Sequence, residues 1–282
     1  MPIFINDEQI FSFVFPAGES HVRISPEMIK PITVIEAWLY KAEDIMALLL
    51  SVDAIRRFCL GVKIHLTIPY FPYARQDRVC NQGEALSVKV MANLINSLRC
   101  DRILVLDPHS DVTPALIDNC QVKTQTDIIF DSVLKNILIE DNWALVAPDA
   151  GAEKKVLTVA QRLGLRDVFC ASKIRDSKTG KITDTTFHDD VKGRKVLIVD
   201  DICDGGRTFI ELGKLLREKQ AETIYLYITH GIFSKGLQVL NPYFDHIYCY
   251  HSFLPITEEN QDFITVISSH DRHSQPLKEM SN

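Results

Sequence analysis

The chain has 282 residues, of which 46% are hydrophobic and 24% charged, and its formal net charge at pH 7 is -6. This composition is typical of a globular protein with a sizeable core, and the negative charge disfavours binding to DNA, RNA or anionic membranes. No apolar run approaches the ~20 residues of a membrane-spanning helix and no signal pattern opens the chain, so we expect neither membrane insertion nor secretion.

Five short apolar runs predict β-strands that are buried on both faces. In chain order they are KIHLTI (63–68), RILVLD (102–107), WALVAP (143–148), KVLIVD (195–200) and TIYLYITH (223–230). Stretches with helical periodicity accompany them, over 85–98, 154–163 and 209–218. Interleaved helices favour mainly parallel strands with right-handed crossovers, so the sequence predicts an α/β fold.

The chain has no low-complexity linker that would mark a domain boundary. We expect the boundary between residues 126 and 142, because units of strand and helix fall on both sides, and we place it so that the halves are 1–132 and 133–282. RILVLDPH and KVLIVDD are alike, each an apolar strand that ends in a carboxylate. This likeness favours two similar halves.

The seven cysteines are scattered, odd in number and never in CxxC spacing. Such usage disfavours both a disulfide framework and a zinc site, and it predicts reduced thiols. We therefore expect a cytoplasmic protein.

The predicted strands end in polar segments, and this pattern indicates where a ligand binds. The segments are PYFPYARQDR, DPHS, PDAG and DDICDGGRT. Ligands of open α/β sheets bind beyond the carboxyl ends of the strands, at helix N-termini. A single Asp there is typical of a helix cap, but four such endings in one chain favour an active site.

The segment DDICDGGRTF predicts a phosphate-binding loop. Its glycines let backbone N–H groups approach an anion, Thr208 adds a hydroxyl, and the helix that follows presents its positive end. Asp200 and Asp201 are natural acceptors for the hydroxyls of a sugar diol. The segment is neither a Walker loop nor a Rossmann fingerprint, and it resembles the ribose-phosphate-binding motif of the type I phosphoribosyltransferase fold. On its own it leaves phosphoribosyltransferases, their regulatory relatives and diphosphokinases open.

IPYFPYARQDR (68–78) resembles the ATP-binding signature of the ribose-phosphate pyrophosphokinase family, and the resemblance runs collinearly from about residue 15 to residue 252. It implies two similar type I phosphoribosyltransferase-like domains, an N-terminal ATP-binding half and a C-terminal ribose-phosphate-binding half. It also implies transfer of the diphosphoryl group of ATP to the 1-hydroxyl of ribose 5-phosphate, which gives phosphoribosyl pyrophosphate (PRPP) and AMP. Mg²⁺ is the implied cofactor. A homo-oligomer with the ATP site near a subunit interface is the implied assembly.

The resemblance also implies roles for individual residues. FPAGE and the ATP signature supply the ATP-binding residues Phe15, Glu19, Arg75, Gln76 and Asp77. DPHS and PDAG supply the metal ligands His109 and Asp149, and SKIRD supplies the catalytic cations Lys173 and Arg175. The ribose-phosphate-binding residues are Asp200, Asp201, Asp204, Gly205, Gly206, Arg207 and Thr208.

Two departures from the family pattern qualify these roles. DGGRT stands where the family has D-T-G-G-T, and Ala17 stands where the family has an Asp in the adenine-contacting loop. Two alternatives remain open, a non-catalytic regulatory homologue and a phosphoribosyltransferase that consumes PRPP. The first would lose the catalytic set, and the second would have no use for PYARQDR beside DPHS.

Overall fold

The computed structural model describes residues 3–141, 143–175 and 182–267. The chain divides into two compact units, Met1–Thr124 and Gln125–Asn282, called the first and the second unit below. Among the described residues, no helix combines the length and the apolar character that crossing a membrane requires.

The first unit is built on a six-stranded sheet in the order β2-β1-β5-β6-β7-β8. Its strands are β1 (Ile3–Ile5), β2 (Glu8–Gln9), β5 (Ile32–Ala37), β6 (Lys63–Ile68), β7 (Arg102–Leu106) and β8 (Cys120–Lys123). Strands β5 to β8 are parallel, and β1 is antiparallel to both of its neighbours. A separate antiparallel hairpin consists of β3 (Phe11–Val14) and β4 (Ser20–Arg23).

The helices of the first unit are α1 (Ala42–Phe58), α2 (Ser87–Ser97) and α3 (Val112–Leu116), and a 3₁₀ turn covers Pro26–Met28. Helix α1 buries Ile45, Leu48, Val52 and Ile55, which are spaced three and four residues apart and therefore share one face. This apolar stripe joins the core that the sheet residues form.

The second unit is built on a six-stranded, fully parallel sheet in the order β10-β9-β13-β14-β15-β16. Its strands are β9 (Ala144–Ala147), β10 (Val168–Cys170), β13 (Lys195–Cys203), β14 (Thr223–Gly231), β15 (His246–Ser252) and β16 (Ile264–Val266). All of β9 and Val196–Val199 of β13 are buried. The prediction of parallel strands buried on both faces is thus confirmed for β9 and β13, whereas in β6 of the first unit buried residues alternate with half-buried ones.

The described part of the second unit also contains four helices and a hairpin. The helices are α4 (Gln125–Phe130), α5 (Leu134–Glu140), α6 (Ala150–Leu163) and α7 (Arg207–Glu218). The antiparallel hairpin consists of β11 (Ser172–Arg175) and β12 (Ile182–Thr186). Helix α6 ends at Gly164, whose left-handed conformation suits glycine.

The boundary between the two units lies between residues 124 and 125, whereas the sequence analysis predicts it between residues 132 and 133. The physical reason is that α4 and α5 both pack against α6. Ile128, Ile129, Leu134 and Leu138 are buried. The stretch from Gln125 to Glu140 is therefore part of the second unit and not a connecting segment.

Candidate active site

The loop after β6 carries the ATP-signature residues and is held by buried anchors. Phe71 and Ala74 are buried, whereas Arg75 and Gln76 are exposed. Between the anchors Tyr73 adopts a left-handed conformation with φ of 64°, which is strained for a residue with a bulky side chain. Its carbonyl accepts a hydrogen bond from the Gln76 backbone N–H at 2.9 Å. Non-glycine residues in this conformation cluster at functional sites.

Asp77 connects this loop with the DPHS segment that follows β7. Its carboxylate lies 3.2 Å from Arg78 Nε, and only 8% of its side chain is exposed. Partial burial alone would raise the pKa of Asp77. The neighbouring Ser110 hydroxyl, the Arg78 guanidinium and the charge of His109 outweigh that effect and hold the pKa below its usual range. The first unit thus brings Asp77 and His109, predicted to bind ATP and metal, close enough for electrostatic coupling.

The DPHS segment begins with a second strained residue. Asp107 is buried and has a φ of 36°. Its backbone N–H donates to the Lys123 carbonyl at 2.9 Å, which fixes the turn to β8. His109 is half-buried, and its charge acts on the carboxylate of Asp77.

Phe15 and Glu19, the other two residues predicted to bind ATP, flank the tip of the β3–β4 hairpin. Gly18 donates its backbone N–H to the Phe15 carbonyl at 2.8 Å and has a φ of 88°, and Phe15 donates to the Glu19 carbonyl at 2.8 Å. The Phe15 ring is 45% exposed and contacts Phe13 edge-on, with 4.8 Å between the ring centroids. Ala17 occupies the tip and supplies no side-chain acceptor.

In the second unit, Asp149 follows β9 and caps helix α6. Its Oδ1 accepts hydrogen bonds from the backbone N–H groups of Gly151 at 2.9 Å and Ala152 at 3.1 Å. This is the structural role of a helix cap. It fixes Asp149 at the carboxyl end of β9, where a ligand of the sheet would bind.

Asp200 lies on β13, the neighbour of β9, and these two strands form the switch point of the sheet. Connections from β9 lead to one side and connections from β13 to the other, which opens a crevice at their carboxyl ends. Burial raises the pKa of Asp200 well above its ordinary value, and repulsion from Asp201 and Asp149 raises it further. The Asp201 backbone N–H donates to Asp200 Oδ1 at 2.9 Å.

This concentration of carboxylates fits a divalent cation, because a cation would relieve the repulsion that acts on Asp200. Across residues 3–141, 143–175 and 182–267, no group of three or more His, Cys, Asp or Glu side chains is arranged to hold a metal ion. Mg²⁺ is usually held by one or two carboxylates together with water and substrate phosphates. The donors present agree with that mode of binding.

The DGGRT loop keeps the glycine that its backbone needs. Gly206 precedes α7 with a φ of 76°, and a Cβ there would lie 3.0 Å from Leu240 Cδ2. Arg207 begins the helix and is not among the described residues with a positive φ. The arginine that departs from the family pattern therefore causes no backbone strain. Gly205 has room for a side chain, because a Cβ there would lie 3.6 Å from Lys235 Cε.

The loop after β14 is hydrogen-bonded to the start of the DGGRT loop. The backbone N–H groups of Ile232 and Phe233 donate to the Cys203 carbonyl, and that of Ser234 donates to the Asp204 carbonyl at 3.2 Å. Lys235, which no pattern singled out, places its side-chain stem beside Gly205. Lys235 lies outside every segment to which the sequence analysis assigned a role.

Arg207 is ion-paired rather than free in solvent. Its Nε donates to Glu211 Oε1 at 2.7 Å, and 77% of the Arg207 side chain is exposed. Thr208 is half-buried in the first turn of α7. The backbone of Lys173 and Arg175 lies in β11, but the side chains of these two predicted catalytic residues fall outside the described part of the structure.

Comparison with known proteins agrees with this architecture. Residues 9–98 match the model of the N-terminal domain of ribose phosphate pyrophosphokinase, and residues 126–269 match the model of the phosphoribosyl transferase domain. The chain is 34% identical over 226 residues to the ribose-phosphate pyrophosphokinase of Pyrococcus furiosus. The aligned segment covers 79% of this chain and 77% of the relative. The chain is 32% identical over 227 residues to the enzyme of Hyphomonas neptunium, covering 78% and 70%.

A solved structure shows the same fold. Phosphoribosylpyrophosphate synthetase from Mycobacterium smegmatis superposes with a TM-score of 0.77 at 24% identity, over 92% of this chain and 85% of that chain. The two domain matches, the identity over most of the chain and the shared fold lead to one conclusion. The chain belongs to the ribose-phosphate pyrophosphokinase family.

Proposed function

We propose that this protein is a ribose-phosphate diphosphokinase, which transfers the β,γ-diphosphoryl group of ATP to the 1-hydroxyl of ribose 5-phosphate and releases AMP. The observation that carries the proposal is that one chain holds both substrate loops. The first unit couples the ATP-signature residue Asp77 with His109, and the second unit carries the DGGRT loop beside the switch-point carboxylates.

In this proposal each unit binds one substrate. Arg75, Gln76 and Asp77 bind the nucleotide, and Phe15 and Glu19 contribute from the hairpin. The ribose hydroxyls are accepted by Asp200 and Asp201, and the 5-phosphate is bound by the backbone N–H groups and side chains of 204–208. Gly206 supports this role because its left-handed conformation turns the backbone into the helix N-terminus.

Mg²⁺ is the proposed cofactor, and His109 in the first unit and Asp149 in the second unit are each proposed to contact Mg²⁺. Carboxylate oxygen suits Mg²⁺, whereas imidazole is a less usual ligand, so we assign His109 a contact through water. When bound, the ion would neutralise charge on the phosphate oxygens. Lys173 and Arg175 supply further positive charge, because catalysis of phosphoryl transfer rests on positioning and on electrostatic stabilisation of the transition state.

We also propose a cytoplasmic location and a homo-oligomer with the ATP site near a subunit interface. The seven cysteines are all free, which supports a reducing compartment. The exposed rings of Phe11 and Phe15 on the β3–β4 hairpin support an interface there, because aromatic side chains are enriched in interface cores.

Product analysis tests the activity. The purified protein is incubated with ATP, Mg²⁺ and ribose 5-phosphate, and nucleotides and sugar phosphates are separated by chromatography. We expect AMP and PRPP in equal amounts and no AMP without ribose 5-phosphate. ADP as the nucleotide product would contradict the proposal. Absence of turnover that depends on ribose 5-phosphate would favour the regulatory homologue, and PRPP consumption with a nucleobase would favour a phosphoribosyltransferase.

A further inference from the structure

Glu211 lies on the first turns of α7, and both of its carboxylate oxygens are engaged. Oε1 accepts from Arg207 Nε at 2.7 Å, and Oε2 accepts from Thr185 Oγ1 at 2.9 Å. The first contact lies within α7, whereas the second spans 26 residues of sequence and reaches the hairpin. One carboxylate thus connects the start of the helix behind the DGGRT loop with strand β12.

Thr185 occupies an informative position in the hairpin. It is buried on β12, against which α7 packs, and it lies directly opposite Lys173 in the antiparallel register of β11 and β12. The backbone that carries the proposed catalytic lysine is therefore paired with a residue that is bonded to Glu211. A continuous series of direct contacts runs from Lys173 through Thr185 and Glu211 to Arg207.

Arg207, at the end of this series of contacts, has N–H donors that can bind an anion. A guanidinium has five N–H donors in a planar fork. Glu211 engages the Nε edge, and no other partner of Arg207 lies in the described part of the chain. The terminal amino groups are thus left for an anion at the N-terminus of α7, where the 5-phosphate is proposed to bind.

We propose that Glu211 is a positioning residue that orients Arg207 for the 5-phosphate and couples the DGGRT loop to the hairpin that carries Lys173. The proposal rests on the proposed function, since it names a residue that serves the same site. An exposed ion pair four residues apart on a helix adds little to stability. A purely structural role therefore predicts that loss of Glu211 leaves the kinetic parameters unchanged.

Three variants separate the two arms of the contact. Thr185→Val removes the hydroxyl that donates to Glu211, Arg207→Gln removes the cation, and Glu211→Ala removes both contacts. We expect Thr185→Val to lower kcat and Arg207→Gln to raise the KM for ribose 5-phosphate. Glu211→Ala should do both, by about 3- to 10-fold in each parameter, which lies within the range of coupling through side-chain networks. The KM for ATP should stay within about twofold.

Glu211→Gln is the rescue variant, because its amide can still accept from Arg207 and donate to the Thr185 oxygen. It should recover part of the loss. Asp53→Ala is the matched control, because Asp53 forms an equally short pair with Arg57 on the exposed face of α1, at 2.7 Å and with the same 77% exposure of the arginine. We expect Asp53→Ala to match the wild type in every kinetic parameter.

Calorimetric titration with ribose 5-phosphate provides a readout besides turnover, and thermal unfolding shows whether each variant folds. Weaker ribose 5-phosphate binding by folded Glu211→Ala supports the proposal. If Glu211→Ala does not fold, the other two variants test the proposal, because Thr185→Val should change kcat and Arg207→Gln should change the KM for ribose 5-phosphate. The proposal would be overturned if Glu211→Ala had the kinetic parameters of the wild type. It would also be overturned if Thr185→Val and Arg207→Gln changed kcat and KM in the same way. If the wild type makes no PRPP, the proposed function fails separately, and the calorimetric comparison still tests the role of Glu211.

Discussion

The site loops of the two units reach the same backbone conformation with different residues. In the second unit the left-handed position before α7 is Gly206, whereas in the first unit the corresponding turns after β6 and β7 use Tyr73 and Asp107. A non-glycine residue in this conformation costs about 1–3 kcal/mol. The turns after β6 and β7 therefore store strain, and the turn before α7 avoids it. The second unit stores strain of the same kind in the loop after β14, where Phe233 has a φ of 49°.

The two sheets also differ in their strand order. In the second unit the strand order reverses between β9 and β13, so the topology itself opens a crevice where Asp149 and Asp200 lie. In the first unit β5 to β8 follow one another in order, and within this range there is no reversal. The difference teaches that a topological switch point marks the proposed sugar site, whereas the proposed nucleotide site is marked by the left-handed turns at Tyr73 and Asp107 and by the coupled charges of Asp77 and His109.

The largest expected effect lies in the second unit. Lys173→Ala should lower kcat by ~10²–10³-fold with little change in either KM, because a cation that meets charge developing in the transition state contributes mainly to kcat. Steady-state kinetics with each substrate varied in turn measures both parameters. An unchanged kcat would show that Lys173 is an ordinary surface residue.

A pair of exchanges at the left-handed positions tests the difference in strain. Gly206→Ala should lower the free energy of unfolding by about 1–3 kcal/mol, because it adds backbone strain and a contact with Leu240. Tyr73→Gly should change it by less than about 1 kcal/mol, because relief of strain offsets the greater chain entropy of glycine.

Denaturant unfolding measures both effects, and Gly205→Ala is the control for the first exchange, because Gly205 has space for a Cβ and no positive φ. Equal destabilisation by Gly205→Ala and Gly206→Ala would contradict the account of the loop. Strong destabilisation by Tyr73→Gly would show that the Tyr73 ring, and not the backbone, holds the turn.

Asp200→Asn tests the crowding of carboxylates at the switch point. The pKa of Asp200 is raised in the folded protein, so ionisation of the unfolded chain destabilises the fold as pH rises from the ordinary carboxyl range toward the raised pKa. The variant lacks this penalty. In EDTA it should have a higher Tm than the wild type at neutral pH, and the difference should disappear below about pH 4. A difference in Tm that does not depend on pH would contradict the assignment.

Arg207→Gly has the smallest expected effect. It should raise the KM for ribose 5-phosphate by about three- to tenfold, the low end for a charge-assisted contact because Arg207 is exposed. The salt dependence of ribose 5-phosphate binding should weaken as well. An unchanged or lower KM would mean that Arg207 does not contact the phosphate.

Much of the fold could be predicted because buried parallel strands have a strong sequence signal. The runs at 63–68, 102–107, 143–148, 195–200 and 223–230 correspond to β6, β7, β9, β13 and β14. The two hairpins gave no such signal, because each consists of short strands whose pairing depends on the register. The helices α4 and α5 were read as a boundary region, because only their packing against α6 reveals where they belong.

Those features of the site that depend on residues close together in sequence could be predicted. The Arg207–Glu211 pair is visible as a spacing of four residues, but its partner Thr185 lies far away in sequence. The pKa of Asp200 is raised mainly by burial, which exists only in the folded unit, and to a smaller extent by Asp149, which is remote in sequence. The strain at Tyr73 has no sequence signal, since the residue is not one that favours the left-handed conformation.

The central claim is that each unit binds its own substrate, and a crossed kinetic comparison of Arg75→Ala with Asp204→Asn tests it most directly. The account predicts that Arg75→Ala raises the KM for ATP by about tenfold or more and leaves that for ribose 5-phosphate nearly unchanged, and that Asp204→Asn does the reverse. Equal changes in both KM values in both variants would contradict it.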